Sequence, residues 1–319
     1  KKITPDWTGR FVPKTTLKDI LLGALQTNEN LIGYNSQFYY PKKHGIQYLI
    51  NNLTEKIKNP ININHEVKLI DLKDKTIHFT NGHIEKFNIL ITTIPLDNFL
   101  NALNEKSNSN LKKASKNLIC NSVLNFNLGF NKSKLINTHW IYIPEKKYPF
   151  YRIGFWNNIS KTSTPKNHSA IYGEISYNSK NKTNKQIQNL KEKSINKTLE
   201  LLRLEEANIV IKNILNIDKA YVVYDKWRAK NLQKILNKLE NFNVYSIGRY
   251  GAWKYSSMQE AVIEGKTIVD DLLKVKQNKH DLNVTPAIKI ENEKINSNRT
   301  KQNYIYAKQN KKKFDKEIS

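Results

Sequence analysis

The segment that most constrains the fold is GRYGAWKYSSMQEAVIEG, residues 248–265, which follows a short apolar stretch. The apolar stretch predicts a strand, Gly248 and Gly251 predict a tight turn, and Ser257 followed by Glu260 is a capping box that begins a helix. The positive end of the helix dipole then points back at the glycine turn, where it favours an anion. Strand, turn and capped helix in this order are typical of α/β proteins, with or without a ligand.

Apolar periodicity predicts helices and strands along most of the chain. Helices are expected over 17–26, 46–58, 96–103, 185–204, 229–240 and 257–274. Strands are expected in a meander from residue 65 with a type I′ turn at Asn81-Gly82, at 88–93, in four segments within 118–177, and at 220–225 and 244–248. This mixed order, with a sizeable antiparallel sheet, predicts an α/β or α+β fold.

The chain is strongly basic, with 53 Lys and Arg against 28 Asp and Glu and a formal net charge of +25. Such a charge can indicate a partner such as nucleic acid or an anionic membrane surface. The lysines lie in every segment, however, and accompany many Asn and Ile, as expected of an AT-rich genome. A solvated basic surface is therefore the preferred interpretation, and a polyanion site is the alternative.

The segment 276–319 loses apolar periodicity and is predicted to be a disordered tail. Within it, Tyr304 and Tyr306 alternate with lysines, a pattern that could also stack on a nucleic acid strand.

Several site classes are not indicated by the sequence. Cys120 is the single cysteine, so no internal disulfide can form, and we expect a cytoplasmic protein in which this residue is a small buried hydrophobe. The seven histidines show no metal-ligand spacing, which predicts no metal site. No apolar run reaches the ~20 residues of a membrane span, and neither a nucleophile elbow nor a Walker loop is present.

The segment 248–265 resembles the C-terminal flavin-binding signature of FAD-dependent oxidoreductases related to protoporphyrinogen oxidases, amine oxidases and UDP-galactopyranose mutases. The resemblance implies that Gly248 and Arg249 meet the FAD diphosphate and that Ser257 and Met258 lie beside the pyrimidine edge of the flavin. A capped helix would stabilise the negative charge that collects there on reduction.

Further stretches resemble the same family in the same order, from about residue 5 to 273. The stretch GYNSQFYYPKKHGIQYLINNL resembles a loop and helix of the family, although His44 replaces the first glycine of a pair. The stretch HEVKLID resembles a strand whose backbone, at Val67, grips the adenine end of FAD. The stretch ILITTIPLDNFL resembles a strand end that passes the adenosine, which implies that Thr92, Thr93 and Pro95 lie near it.

The resemblance also implies a division of the chain. The expected segments are 1–60 (substrate-side helices and loop), 61–104 (FAD-domain meander and strand), 105–225 (substrate-binding antiparallel sheet), 226–275 (return strand and C-terminal helix) and the tail 276–319. The family's βαβ unit with Gly-x-Gly-x-x-Gly does not occur in these residues. We therefore expect the C-terminal portion of a Rossmann-like flavoprotein, completed upstream or by a separate FAD-binding polypeptide.

Aromatic and arginine residues are candidates for a small-molecule substrate pocket, which in a mutase would hold a nucleotide sugar. The candidates are Tyr39, Tyr151, Arg152, Arg228, Trp253 and Tyr255. Arginine suits a planar bidentate partner such as a diphosphate, although a structural salt bridge is an equal alternative for Arg152 and Arg228.

Three functions remain open from the sequence, and no catalytic residue is assigned. The first is an FAD-dependent oxidoreductase in which the flavin accepts hydride from a small substrate. The second is a mutase resembling UDP-galactopyranose mutase, without net oxidation. The third is a non-catalytic basic binding protein with a degenerate cofactor site.

Overall fold

The computed structural model describes residues 3–8, 16–25, 38–133, 135–178 and 182–281. Its helices are α1 (Leu17–Leu25), α2 (Gln47–Thr54), α3 (Leu96–Asn101), α4 (Glu105–Ala114), α5 (Trp156–Ile159), α6 (Asn184–Leu202), α7 (Lys226–Glu240), α8 (Gly248–Gly251) and α9 (Met258–Asp281). Its strands are β1 (Val67–Asp71), β2 (Thr76–Phe79), β3 (Ile84–Lys86), β4 (Leu90–Thr92), β5 (Cys120–Phe130), β6 (Trp140–Tyr142), β7 (Arg152–Phe155), β8 (Ser169–Tyr177), β9 (Ile209–Val222) and β10 (Val244–Ser246). The mixed α+β class predicted from the sequence is confirmed.

The chain divides into two compact units. The first, unit 1, comprises 1–68, 78–84 and 116–231. The second, unit 2, comprises 69–77, 85–115 and 232–319. The five functional segments expected from the sequence remain a prediction, since this division rests on packing alone.

Unit 1 is built on a five-stranded antiparallel sheet in the order β6-β7-β8-β5-β9. Fully buried and half-buried residues alternate along β5 from Leu124 to Phe130. On its core side, Leu124, Phe126, Leu128 and Phe130 have no exposed surface. This alternation, with a period of two, places one face of the strand against the apolar side of α6 and leaves the other face polar. The core of this sheet is therefore closed by side chains of unit 1 itself.

Strand β9 is the largest difference from the predicted elements. We expected a strand over 220–225, whereas β9 begins at Ile209 and pairs with β5 along nearly its whole length. The stretch IVIKNILNI has no regular alternation because β9 is an edge strand, in which most positions on both faces are exposed. Pairing with β5, which is distant in the sequence, decides its conformation.

A smaller sheet has the order β1-β2-β3 and forms the predicted meander. The turn at Asn81-Gly82 is not of type I′, because only Gly82 has a positive φ (87°) and type I′ needs two such residues. The Gly82 amide donates to Phe79 and the Phe79 amide to His83, which is the three-residue loop that ends on a left-handed glycine.

Unit 2 contains a two-stranded parallel sheet of β4 and β10, with Val244 opposite Leu90. The strand predicted at 88–93 is thus shorter, at Leu90–Thr92. Helix α9 begins where the capping box predicts and continues to Asp281, so the first residues of the predicted tail are helical. The rest of that tail, 282–319, lies outside the described residues.

No helix within the described ranges combines the length and apolar content needed to cross a bilayer.

Candidate functional site

The glycine turn of unit 2 lies at the carboxyl ends of two adjacent parallel strands. The amide of Ile247 donates to the Thr92 carbonyl at 2.9 Å, which extends the pairing of β10 with β4 into the turn. Gly248 follows with φ of +79°, a conformation that side-chain-bearing residues rarely adopt. A Cβ on Gly251 would lie 3.1 Å from the Thr92 carbonyl oxygen, so this glycine permits close approach of the two backbones.

Residues 248–251 form the short helix α8, which ends in a Schellman motif. The Lys254 amide donates to the Arg249 carbonyl, and the Trp253 amide donates to the Tyr250 carbonyl. Trp253 occupies the left-handed position of this motif, with φ of 49°, where glycine is usual. Its side chain is fully buried, so this predicted substrate contact lies in the core of the turn.

A carboxylate already occupies the amide at the start of the turn. Gly248 donates its N–H to Glu264 Oε2 at 3.0 Å, and Lys254 Nζ lies 2.9 Å from Glu264 Oε1. Glu264 thus makes here the contact that the flavoprotein resemblance implies for a diphosphate oxygen at Gly248. It shows that this amide is oriented to hold an anion.

Arg249 is held against the following loop. Its Nη1 donates to the Ser256 carbonyl at 3.0 Å, and its guanidinium lies over the Tyr255 ring at 4.5 Å from the centroid. A cation over an aromatic face is stabilised by the ring quadrupole, so Tyr255 fixes the direction of Arg249. Two predicted site residues, one for the cofactor and one for the substrate, are thereby in direct contact.

Helix α9 begins with the capping box predicted from the sequence. The Glu260 amide donates to Ser257 Oγ at 3.2 Å, and the Ser257 amide donates to Glu260 Oε2 at 2.6 Å. The next amides, of Met258 and Gln259, have no acceptor within the helix, because the first amides of any helix lack one. Met258 is 45% exposed, so this helix start is open to solvent.

The remaining predicted cofactor residues lie at strand ends. Thr92 is buried at the end of β4, Thr93 is exposed, and Pro95 precedes α3 at its N-cap. Val67 is the half-buried first residue of β1 and belongs to unit 1, whereas the other seven belong to unit 2.

Unit 1 carries a polar cluster around Arg152 on its large sheet. Arg152 on β7 lies opposite Glu174 on β8, and Arg152 Nη2 approaches Glu174 Oε1 at 2.5 Å. The Tyr151 hydroxyl donates to the other carboxylate oxygen, Oε2. Burial, followed by the contact with Glu174, raises the pKa of Tyr151 above its usual range. Burial lowers the pKa of Arg152, but the Glu174 carboxylate more than offsets this and raises it overall, so the guanidinium stays charged.

Aromatic rings flank the same guanidinium. Arg152 lies 6.0 Å from the Tyr142 ring centroid and 5.7 Å from that of Tyr172. Tyr172 covers Gly154, on which a Cβ would come within 2.1 Å of the ring. The Nε of Arg152 is buried and has no hydrogen-bond acceptor among the residues that the structure describes. The cluster thus presents a desolvated arginine donor within an aromatic surface.

The other two predicted substrate residues, Arg228 and Tyr39, also belong to unit 1. Arg228 stacks on the Tyr224 ring at 3.8 Å from its centroid, and its own amide donates to Asp225 Oδ1, which caps α7. Burial lowers the pKa of Arg228, against the opposing effect of Tyr224, Asp6 and Asp225. Tyr39 is 79% exposed.

Glu174 and Glu264 are the two site residues that sequence reasoning missed. Each is a single acidic residue within a short stretch that carries no other charge, GEIS for Glu174 and AVIEG for Glu264, and this isolation was the available signal. Among the described residues, no group of three or more His, Cys, Asp or Glu could hold a metal ion.

Comparison with known proteins identifies the fold. No family model matches the chain. A crystal structure of reduced UDP-galactopyranose mutase aligns with a TM-score of 0.77 and 26% identity over 86% of this chain and 60% of its own. A protein assigned as a protoporphyrinogen oxidase from Exiguobacterium sp. 255-15 aligns with a TM-score of 0.58 and 14% identity over 72% of this chain and 51% of its own. The chain therefore spans between half and two thirds of these proteins and, over most of its length, has the fold of a UDP-galactopyranose mutase.

Proposed function

We propose that this chain forms the substrate-binding part, and a portion of the cofactor site, of an FAD-dependent enzyme that acts on a nucleotide sugar. The observation that carries the proposal is the glycine turn before the capped start of α9, within a chain that aligns with a UDP-galactopyranose mutase over 86% of its residues. The likeness to the protoporphyrinogen oxidase, at 14% identity, supports only the fold, so the nucleotide sugar is preferred over an oxidisable substrate.

The residues of the turn fit an anionic cofactor in two respects and conflict in a third. Gly248 and Gly251 bring the backbone close to the ends of β4 and β10, and the dipole of α9 favours negative charge at Met258. The Gly248 amide, however, is bonded to Glu264. A diphosphate can bind this amide only if the Glu264 side chain moves away from it. Lys254 would then pair either with Glu264 or with the diphosphate.

When bound in its reduced form, the flavin would supply a nucleophile for the anomeric carbon of the sugar. The chain's own residues would bind and orient the substrate: the Arg152 guanidinium, whose side chain is 23% exposed, would donate to a diphosphate oxygen, and Tyr142 and Tyr172 would flank it. Glu174, which bonds both Tyr151 and Arg152, would hold the arginine in place.

The apolar surface of unit 2 supports completion by another polypeptide segment. Parallel sheets are normally covered on both faces, yet β4 and β10 pair only with each other among the described strands. Several large side chains of unit 2 are exposed around them and along α9, namely Ile89, Ile91, Met258, Val262, Val269 and Leu273. We propose that a βαβ segment with Gly-x-Gly-x-x-Gly covers this surface and supplies the rest of the FAD site.

The cofactor proposal is tested by FAD titration. We would mix the chain with a polypeptide comprising the part of a UDP-galactopyranose mutase that this chain does not span, and follow flavin absorbance and fluorescence. The mixture is expected to bind FAD more tightly than either component. Gly248→Ala should weaken binding, because alanine resists a φ of +79°, while Gly265→Ala, whose Cβ would meet no atom within 4 Å, should not. A mixture no better than the mutase segment alone would contradict the proposal.

The substrate proposal is tested by calorimetric titration of UDP-galactopyranose. Arg152→Lys is expected to weaken binding about tenfold or more, since lysine cannot reproduce the planar donor geometry. Arg203→Lys, an exposed site on the same unit, is the matched control. Equal affinity of Arg152→Lys and wild type would exclude Arg152 as the diphosphate contact.

Turnover separates the two enzymatic hypotheses. A reduced, reconstituted enzyme that isomerises UDP-galactopyranose without an electron acceptor would support the mutase. Failure to isomerise, together with substrate-dependent flavin reduction, would favour the oxidoreductase.

A further inference from the structure

The exposed face of α7 carries a row of lysines at regular spacing. Four lysines follow one another at intervals of four residues, and all are exposed: Lys226, Lys230, Lys234 and Lys238. The opposite face packs inward through Ile235 and Leu239, which are 6% and 0% exposed. Because burial of that face sets the rotation of the helix, the lysine row points into solvent.

The lysine row differs from the charges on the other long helices. On α6 and α9, lysines pair with carboxylates one turn away, as in Lys197–Glu200 and Lys266–Asp270. Helix α7 has five basic residues and a single acidic one, Glu240, at its last position. Among the described residues, none of the four lysines forms an ion pair. The basic excess of the chain is therefore concentrated on this helix without internal neutralisation.

Such a row is unfavourable in the free protein. Like charges four residues apart on a helix repel each other. Lys226 also places a positive charge at the positive end of the helix dipole. An anion bound along the row relieves both effects, so the arrangement favours a polyanionic partner.

The geometry of the row favours a flexible, linear polyanion. Successive lysines are about 6 Å apart along the helix axis and rotated by about 40° around it, so the row covers roughly 120° of the helix surface. A strand can follow this curve, whereas a flat membrane would contact the middle of the row and lie away from its ends. The exposed positions of α7, all of which the structure describes, hold no large apolar side chain that could insert into a bilayer.

We propose that the lysine row binds a single strand of nucleic acid through its phosphates. Lysine binds a phosphate as a point charge, and contacts of this kind position a strand without reading its bases. No position along the fully described helix α7 exposes an aromatic ring for base stacking, so binding is independent of base sequence. The four lysines are not among the residues proposed to bind flavin or nucleotide sugar, and the two proposals are tested separately.

Fluorescence anisotropy of a labelled single-stranded DNA of about 30 nucleotides tests the proposal with the full chain. A net charge of +25 attracts DNA at many points, so the comparison needs two variants of equal charge. The row variant replaces all four lysines with glutamine, which has a similar helix propensity and keeps α7 helical. The control variant makes the same replacement at four exposed lysines outside the row: Lys58→Gln, Lys132→Gln, Lys161→Gln and Lys193→Gln.

The row variant is expected to bind at least about tenfold more weakly than wild type at roughly 100 mM salt. Its plot of log affinity against log salt should be shallower by about three, since each phosphate contact on a single strand contributes about 0.7 to the slope. The control variant should weaken binding less than about threefold. Equal losses in the two variants would assign binding to diffuse charge and overturn the proposal.

Single substitutions test whether the strand follows the whole row. Lys226→Gln and Lys238→Gln remove its two ends, and each is expected to reduce the salt slope by about 0.7. A change at one end alone would show that the strand crosses α7 without following it, which contradicts the proposal.

Co-sedimentation with vesicles of phosphatidylcholine and phosphatidylserine tests the membrane alternative. The row and control variants are expected to bind these vesicles equally. Vesicle binding lost only in the row variant, together with equal DNA binding by both variants, would identify a membrane as the partner and overturn the assignment to nucleic acid.

Discussion

The sheets of units 1 and 2 differ in how completely the chain covers them. The large antiparallel sheet has a dense core in which Phe126, Leu128 and Ile153 have no exposed surface. The parallel sheet of unit 2 has two strands of three residues, and Ile91 on one of them is 41% exposed. Antiparallel sheets can be stable with one face in water, whereas parallel sheets are normally buried on both faces. The first unit thus closes its own core, whereas apolar side chains of the second unit's parallel sheet remain exposed.

The largest expected effect is a difference in amide hydrogen exchange between the two sheets. Amides of β5 and β8 are expected to exchange at least ~100-fold more slowly than those of β4 and β10, because buried strands open only with the whole unit. Mass spectrometry after proteolysis would resolve the segments. Equal protection in both sheets would show that the parallel sheet is stable without cover.

Truncation of the large core should destabilise unit 1 strongly. Phe126→Ala removes a fully buried ring and is expected to cost about 3–5 kcal/mol of the free energy of unfolding. Phe38→Ala, at a ring that is 41% exposed, should cost much less. Urea unfolding monitored by tryptophan fluorescence would measure both. If the two variants lost equal stability, the core of unit 1 would not be the closed unit described above.

Added bulk at the glycine turn should affect unit 2 more modestly. Gly251→Ala places a Cβ 3.1 Å from the Thr92 carbonyl oxygen and 3.2 Å from Ser246 Oγ, so we expect a loss of about 1–3 kcal/mol. Gly265→Ala, within α9, should be neutral or stabilise by up to about 1 kcal/mol. Thermal unfolding would compare them, and a neutral Gly251→Ala would show that the two strand ends separate easily.

Acidification should weaken a turn of unit 2 through Asp71. Hydrogen bonds from Asp74, together with those from Asn104 and Lys73, lower the pKa of Asp71 below 3.8, against the effect of burial. Because the pKa of Asp71 is lower in the folded than in the unfolded state, its carboxylate stabilises the fold at pH values above the unfolded-state pKa. This stabilisation is lost as the pH falls through the folded-state pKa. Stability should therefore fall below about pH 4, and less steeply in Asp71→Asn. Identical pH profiles from pH 6 to 2 would exclude this contribution.

Surface ion pairs on α9 should have the smallest effect. Lys266 and Asp270 are 63% and 45% exposed, so Lys266→Ala is expected to change stability by less than about 0.5 kcal/mol. Lys254→Ala should cost more, because its partner Glu264 also accepts the Gly248 amide. Chemical denaturation would give the free energy of unfolding of both variants. A larger loss in Lys266→Ala than in Lys254→Ala would show that Glu264 does not stabilise the turn.

Local signals accounted for much of the fold. The capping box at Ser257 and Glu260 correctly located the start of α9, and strict alternation located β5 and β8. Both signals depend on residues that are close in sequence. The length of β9 was not predictable in this way, since it depends on pairing with β5 about 90 positions away.

The candidate site also combines features that are local in the sequence with contacts between distant elements. Its glycine turn could be located from residues 248–265 alone, because a capped helix and a left-handed glycine are local properties. Glu264 at the Gly248 amide, and Glu174 between Tyr151 and Arg152, depend on contacts across elements. Which apolar side chains of α9 stay exposed, among them Met258, Val262 and Val269, also depends on packing between elements.

The sequence by itself therefore determined the α+β class, the strand-turn-helix at 248–265 and the resemblance to flavoproteins. Only the tertiary structure decided which charges meet, which apolar faces remain open and how far β9 extends. The physical reason is that capping, turn formation and alternation act over a few residues, whereas burial and ion pairing depend on which distant segments pack together.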